Sequence, residues 1–187
     1  MPSKTGYSLW GQGHRDAEDV LLHVNDNIML LKSLDDLCYF IKNDGKKCLT
    51  IFREYEKIKM MLNKNSTSIT ENIEEACEEF DLILTKNILC RGGNQIHDLE
   101  DRSTVLHCLN MLYDIGITIK NDMITSTLEA KKSEVARLMD ILTFIKEDEL
   151  NSSLEPFNFL VICDTYTRLL TIAEEKTLLG GCRTTRK

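Results

Sequence analysis

The sequence predicts an all-α chain, an antiparallel bundle of about six helices or a short helical-repeat array, and three observations carry that expectation. Only two prolines occur, Pro2 and Pro156, so residues 3–155 hold none of the ring-locked positions that break helices. Apolar residues recur along that stretch at three- and four-residue spacing, the period of a helix face. The turn chemistry that an all-β chain of this length needs is sparse.

Residues 1–14, with Pro2, Gly6, Gly11 and Gly13, read as a flexible arm. Trp10 within it either folds its large apolar face back onto the bundle or anchors a partner. From Asp16 to Asn43 the positions Val20, Val24, Ile28, Leu31, Leu34, Cys38 and Ile41 step by three or four, which predicts one long amphipathic helix stopped at Asn43-Asp44-Gly45. A second helix, Lys46 to Leu62, presents Leu49, Phe52, Tyr55, Ile58 and Met61.

Ser68-Ile69-Thr70-Glu71 matches a capping box and opens a third helix with Ile73, Cys77, Phe80, Leu84 and Ile88, closed by Gly92-Gly93. Asp98 or Asp101 caps a fourth helix carrying Val105, Cys108, Leu109, Leu112 and Ile115, with Gly116 as its stop. Residues 117–127, rich in Ile and Thr, fit a short strand or a packed linker. Ser126-Thr127-Leu128-Glu129 offers a second capping box, followed by a fifth helix with Val135, Leu138, Met139, Leu142 and Ile145. Lys146 to Glu155 is a polar connection, and Pro156 opens a sixth helix that runs through Leu160, Cys163, Tyr166, Leu170 and Ala173 to Leu179. The organisation expected is a single domain over residues 15–181, with residues 91–98 as a candidate hinge and residues 182–187 as a frayed tail.

At 187 residues with 42% apolar and 28% charged positions, the chain has the composition of one globular domain that folds without metal or disulfide. A net charge of −7 argues against duplex DNA and anionic membranes, because both take their affinity from Lys and Arg. Lys42, Lys46, Lys47, Lys57 and Lys59 are read as a solvated helix face. The seven cysteines are odd in number, without close pairs, and mostly at apolar positions, so they read as reduced core residues. Cys90 is the strongest candidate for a reactive thiol. No secretory leader is expected at the start, and no apolar run approaches the roughly 20 residues of a membrane span, which points to a cytoplasmic or nuclear protein. The sequons at Asn65 and Asn151 are attributed to chance.

No catalytic, cofactor or metal site is expected. The nearest approaches to metal ligation, His97-Asp98-Leu99-Glu100 and His107-Cys108, lack the helical spacings that converge ligands. Adjacent helical residues point about 100° apart, so His107 and Cys108 do not form a catalytic pair. Arg91-Gly92-Gly93 is read as a helix end, not a phosphate loop. Glu74, Glu75, Glu78, Glu79 and Asp81 make an acidic helix face, solvated or docking a basic segment, and Glu147, Asp148 and Glu149 read as a solvated cluster.

Residues 105–119, VLHCLNMLYDIGITI, resemble the leucine-rich helix and following turn of the small helical domain at the front of transcription elongation factors and in the integrase-binding part of lens-epithelium-derived growth factor, on Leu109, Leu112, Ile115 and Thr118. The resemblance implies peptide binding. The function expected is therefore a non-enzymatic protein-protein interaction or adaptor module that receives a partner helix or peptide between its fourth, fifth and sixth helices, or associates with itself. Trp10, Tyr113, Phe144, Phe157, Phe159 and Tyr166 are the candidate contacts. The alternative is a regulatory subunit of a nucleic-acid-linked complex, itself not binding nucleic acid directly.

Overall fold

The structure, a computed structural model, describes residues 5–13, 18–43, 46–54, 56, 57, 60, 80–92, 96, 99–144, 146 and 149–180. The all-α expectation is overturned: helices share the chain with one sheet of two strands and one of three. The chain divides into two compact units, residues 1–78 with 176–187, and residues 79–175.

In the first unit, the stretch expected as one long helix holds three short strands and is helical only from Leu34 on. β1 (Trp10–Gln12) pairs antiparallel with β2 (Asp19–Leu21), with Trp10 opposite Leu21. β3 (His23–Val24) turns back into β4 (Asn27–Leu31), joined by Asn25 and Asp26 at φ 52° and 56°. Two successive left-handed residues match the two-residue hairpin turn whose twist suits paired strands, and Asn and Asp tolerate that region best after Gly. Leu22 switches partners between the sheets: its N–H donates to the Leu9 carbonyl at 2.8 Å and its own carbonyl accepts from Met29 N–H at 2.9 Å. The helical reading failed because Val20, Val24 and Ile28 lie four apart, which is a helical step and also two strand periods. Their branched Cβ atoms favour the strand.

α1 (Leu34–Asn43) then begins at Ser33, whose Oγ accepts from the Asp36 N–H at 3.1 Å, with Asp35 and Asp36 in the first turn and Lys42 in the last, as the helix dipole prefers. The second expected helix is α2 (Lys46–Leu49) followed by a turn in which Phe52 bridges Gly13; Tyr55, Ile58 and Met61 lie outside the described residues. Leu22, Leu31, Leu37, Ile41, Leu49 and Phe52 form this unit's core. β5 (Thr177–Gly180) completes it by pairing parallel with β4, Ile28 opposite Thr177 and Leu31 opposite Gly180. Residues expected as the last turn of the sixth helix are thus a strand. Of the residues expected as an arm, 5–13 are described, and there Tyr7 and Leu31 exchange two backbone hydrogen bonds of 2.7 Å.

The second unit is helical. α3 (Leu82–Arg91) starts at Asp81, whose carboxylate accepts from the N–H groups of Ile83 and Leu84 at 3.0 and 2.7 Å. The capping box at Ser68, Cys77 and the acidic positions 74–79 lie outside the described residues. α4 (Leu99–Thr118) runs through Gly116 and does not stop there. Its end is at Lys120, left-handed at φ 52°, where Asn121 N–H returns to Gly116 O at 2.9 Å and Lys120 N–H to Ile117 O at 3.1 Å.

Gly116 serves packing instead, since an added Cβ would lie 2.7 Å from Ile124 Cγ2. Residues 117–127, expected as strand or linker, complete α4 and begin α5 (Asp122–Glu129), capped by Asn121 Oδ1 on the Ile124 N–H at 3.1 Å. The supposed capping box at Ser126 falls inside that helix.

α6 (Glu134–Phe144) follows its expected stripe. The polar connection contains α7 (Leu150–Leu154), whose Leu150 and Leu154 are buried. α8 (Phe159–Glu175) starts after Pro156, at Asn158, which accepts from the N–H groups of Val161 through Oδ1 and Ile162 through its carbonyl. Its Ile162, Tyr166, Leu169, Leu170 and Ala173 join Val105, Leu109, Leu112, Val135, Leu138 and Leu142 in the core.

Candidate functional site

Residues 79–175 hold the candidate site, and it is organised around α8. Tyr166 is fully buried, and its hydroxyl donates to the Leu82 carbonyl at 3.1 Å, pinning the start of α3. Burial pushes the phenol far above its ordinary value, with the neighbouring Cys108 and Asp81 adding to the rise and Thr85 opposing it, so it is a permanent neutral donor. Thr85, also fully buried, has Oγ1 without a hydrogen bond among the described residues, and it opposes the rise at Tyr166 and Cys108. Burial likewise raises the Cys108 thiol. A neutral phenol, a neutral thiol and a hydroxyl packed together order the helices that carry them.

One turn before Tyr166, Cys163 forms a disulfide with Cys90 near the end of α3, with Cα atoms 5.0 Å apart. The expectation of reduced core cysteines fails for this pair: Cys90 is exposed and Cys163 half-buried, and helix packing brings together residues that are 73 apart in sequence. Cys38, Cys48 and Cys108 are free, and burial raises all three thiols. Among the described residues no group of three or more His, Cys, Asp or Glu gathers as metal ligands.

The six expected contact residues are placed differently from one another. Tyr166 and Phe157 belong to the buried interior, and the Arg137 guanidinium lies over the Phe157 ring at 5.1 Å. Phe159 is half-buried with its ring 6.4 Å from Phe157. Tyr113 is half-buried and donates its hydroxyl to Glu129, tying α4 to the end of α5. Trp10 lies on β1, in the first unit, 42% exposed.

Phe144 is 83% exposed at the end of α6, where Arg102 from α4 donates to the Leu142 carbonyl at 2.6 Å and so satisfies the helix end. Sequence reasoning missed Leu160 and Val161 in the first turn of α8, 77% and 45% exposed. Leu160 has the spacing of the core stripe but stands off the face on which Ile162, Tyr166, Leu169 and Leu170 are buried.

No family model and no curated protein matches the sequence. The fold is similar to that of the C-terminal domain of SatS, solved in complex with bromine, with a TM-score of 0.61 at 16% identity over 96% of this chain and 89% of that one. At that identity the likeness concerns the fold.

Proposed function

We propose that this chain is a non-enzymatic protein-binding module, and that its contact surface lies on α6 and α8 with Phe144, Leu160 and Val161 as the apolar contacts. The observation that carries the reading is the exposure of Phe144 and Leu160, at 83% and 77%, on helices whose opposite faces are core. Apolar side chains of that size supply binding energy when a partner takes them out of water. Phe159, half-buried against Phe157, gives that surface a rigid base. The occupant proposed is an amphipathic helix or extended peptide of another protein.

The nucleic-acid-linked alternative gains no support: Lys57 of the lysine cluster is paired to Glu54 at 2.9 Å, and the net charge is −7. No helix among the described residues is long and apolar enough to cross a membrane. We place the protein in the cytoplasm or nucleus; the three free cysteines support that reading, and the Cys90–Cys163 disulfide speaks against it.

A photo-crosslinking residue placed at position 144 or 160 in the native cell tests the proposal, with position 131, exposed between α5 and α6, as the control. A discrete adduct from 144 and 160, absent from 131 and lost in a folded Leu160→Asp variant, is expected. Adducts at 144 and 160 indistinguishable from those at 131 would overturn it.

A further inference from the structure

We infer that Cys90 and Cys163 are a reversible thiol–disulfide pair, a modification site whose reaction partner is a low-molecular-weight thiol and whose redox state sets how firmly the end of α3 is held. The chain is not a disulfide-stapled scaffold, because Cys38, Cys48 and Cys108 remain free while this pair is joined. A chain that keeps free thiols and also carries a bridge with one exposed partner residue has the arrangement of labile, responsive disulfides. The other described thiols are poor competitors: each is at least half-buried, and the thiolate form that exchange requires is disfavoured at all three.

The exchange follows from the exposure. A reductant thiolate attacks Sγ of Cys90, the exposed partner; the protein S–S bond breaks as the mixed S–S bond forms, and the electron pair leaves on Sγ of Cys163, which takes a proton from solvent. A second thiolate attacks the reductant's sulfur in the mixed disulfide and releases the Cys90 thiolate, which is protonated in turn. Two reductant thiols are oxidised to one reductant disulfide, and the protein disulfide is reduced to two thiols.

The consequence lies in how α3 is attached. Tyr166 holds its first residue through the Leu82 carbonyl, and the bridge holds its last turn. Reduction leaves the first attachment and the burial of Thr85, Ile88 and Leu89, and frees the Cys90 end. Gly92, just beyond, takes φ 96° with open space where a Cβ would be, so the chain there accepts a change of direction.

The full chain, purified without reductant, tests the inference by peptide mapping and hydrogen exchange before and after equilibration with excess reduced glutathione under native conditions. The expected results are a linked Cys90–Cys163 peptide in the oxidised protein, alkylation of both residues after glutathione with the circular dichroism unchanged, and exchange over residues 86–91 faster by roughly tenfold or more. Cys90→Ser removes the response to glutathione, whereas Cys38→Ser keeps it; should Cys90→Ser fold poorly, Cys163→Ala serves the same purpose. No linked peptide in the oxidised protein, a bridge that yields to glutathione only in denaturant, or an exchange pattern unchanged by reduction would each sink the idea.

Discussion

Replacing Gly116 by alanine measures how closely α4 and α5 approach each other. In an ordinary helix interior that change stabilises by about 1 kcal/mol, because alanine loses less backbone freedom on folding. Here the new Cβ would lie 2.7 Å from Ile124 Cγ2, 2.9 Å from Ile124 Cβ and 3.1 Å from Thr125 Cγ2. Carbon contacts settle at about 3.5–4.0 Å, so the neighbours must retreat by the better part of an ångström. A rotamer change moves Cγ2 but not Cβ, which is fixed to the α5 backbone, and Ile124 is fully buried.

Overpacking of that kind costs about 1–3 kcal/mol, and more where backbone must shift, so Gly116→Ala is expected to destabilise by about 1–2 kcal/mol net. Urea unfolding followed by circular dichroism reads this as a lower midpoint at unchanged slope. Ile124→Ala alone costs about 2–5 kcal/mol, and the double variant should cost about 1 kcal/mol less than the sum, because one clash is relieved. Stabilisation by Gly116→Ala, or strict additivity with Ile124→Ala, would refute the close approach.

Two further outcomes test the turn and the buried phenol. Asn25→Val forces a β-branched residue to φ 52° and should lower stability by about 1–2 kcal/mol, while Asn25→Gly stays near neutral in the same unfolding assay. Tyr166→Phe should cost about 1 kcal/mol at neutral pH through the lost hydrogen bond to Leu82. The phenol is raised above its ordinary value of 10.0 in the fold, so its contribution is complete below pH 10 and is lost as pH rises beyond it, when the unfolded chain releases the proton first. The wild-type chain should therefore lose about 1.4 kcal/mol more per pH unit above pH 10 than Tyr166→Phe does, and parallel curves would contradict the burial of that hydroxyl.

Much of the helical unit was legible along the chain. The stripes Val105, Cys108, Leu109, Leu112 and Ile115, and Val135, Leu138 and Leu142, are buried as their spacing implies. Boundaries were not. Gly116 and Pro156 are strong punctuation in a sequence, yet one is a packing contact and the other precedes a helix capped by Asn158. The candidate contacts were legible only in part, because exposure depends on which face a helix turns inward. Phe144 projects into solvent, whereas Tyr166, an equally plausible contact by composition, is core.

What the amino-acid order determined by itself is the set of local preferences: helical periodicity over residues 105–115, 135–142 and 160–173, an acidic composition, and cysteines with no local partner. What the tertiary structure decided is everything that depends on a distant residue. Val20, Val24 and Ile28 satisfied two periods at once, and backbone pairing chose the strand, with Thr177–Gly180 arriving from the far end of the sequence to lie beside β4. Cys90 met Cys163 across 73 residues in the same way. Periodicity is a property of neighbours along the chain, whereas strand register and disulfide reach are properties of neighbours in space, and only the packed fold brings those together.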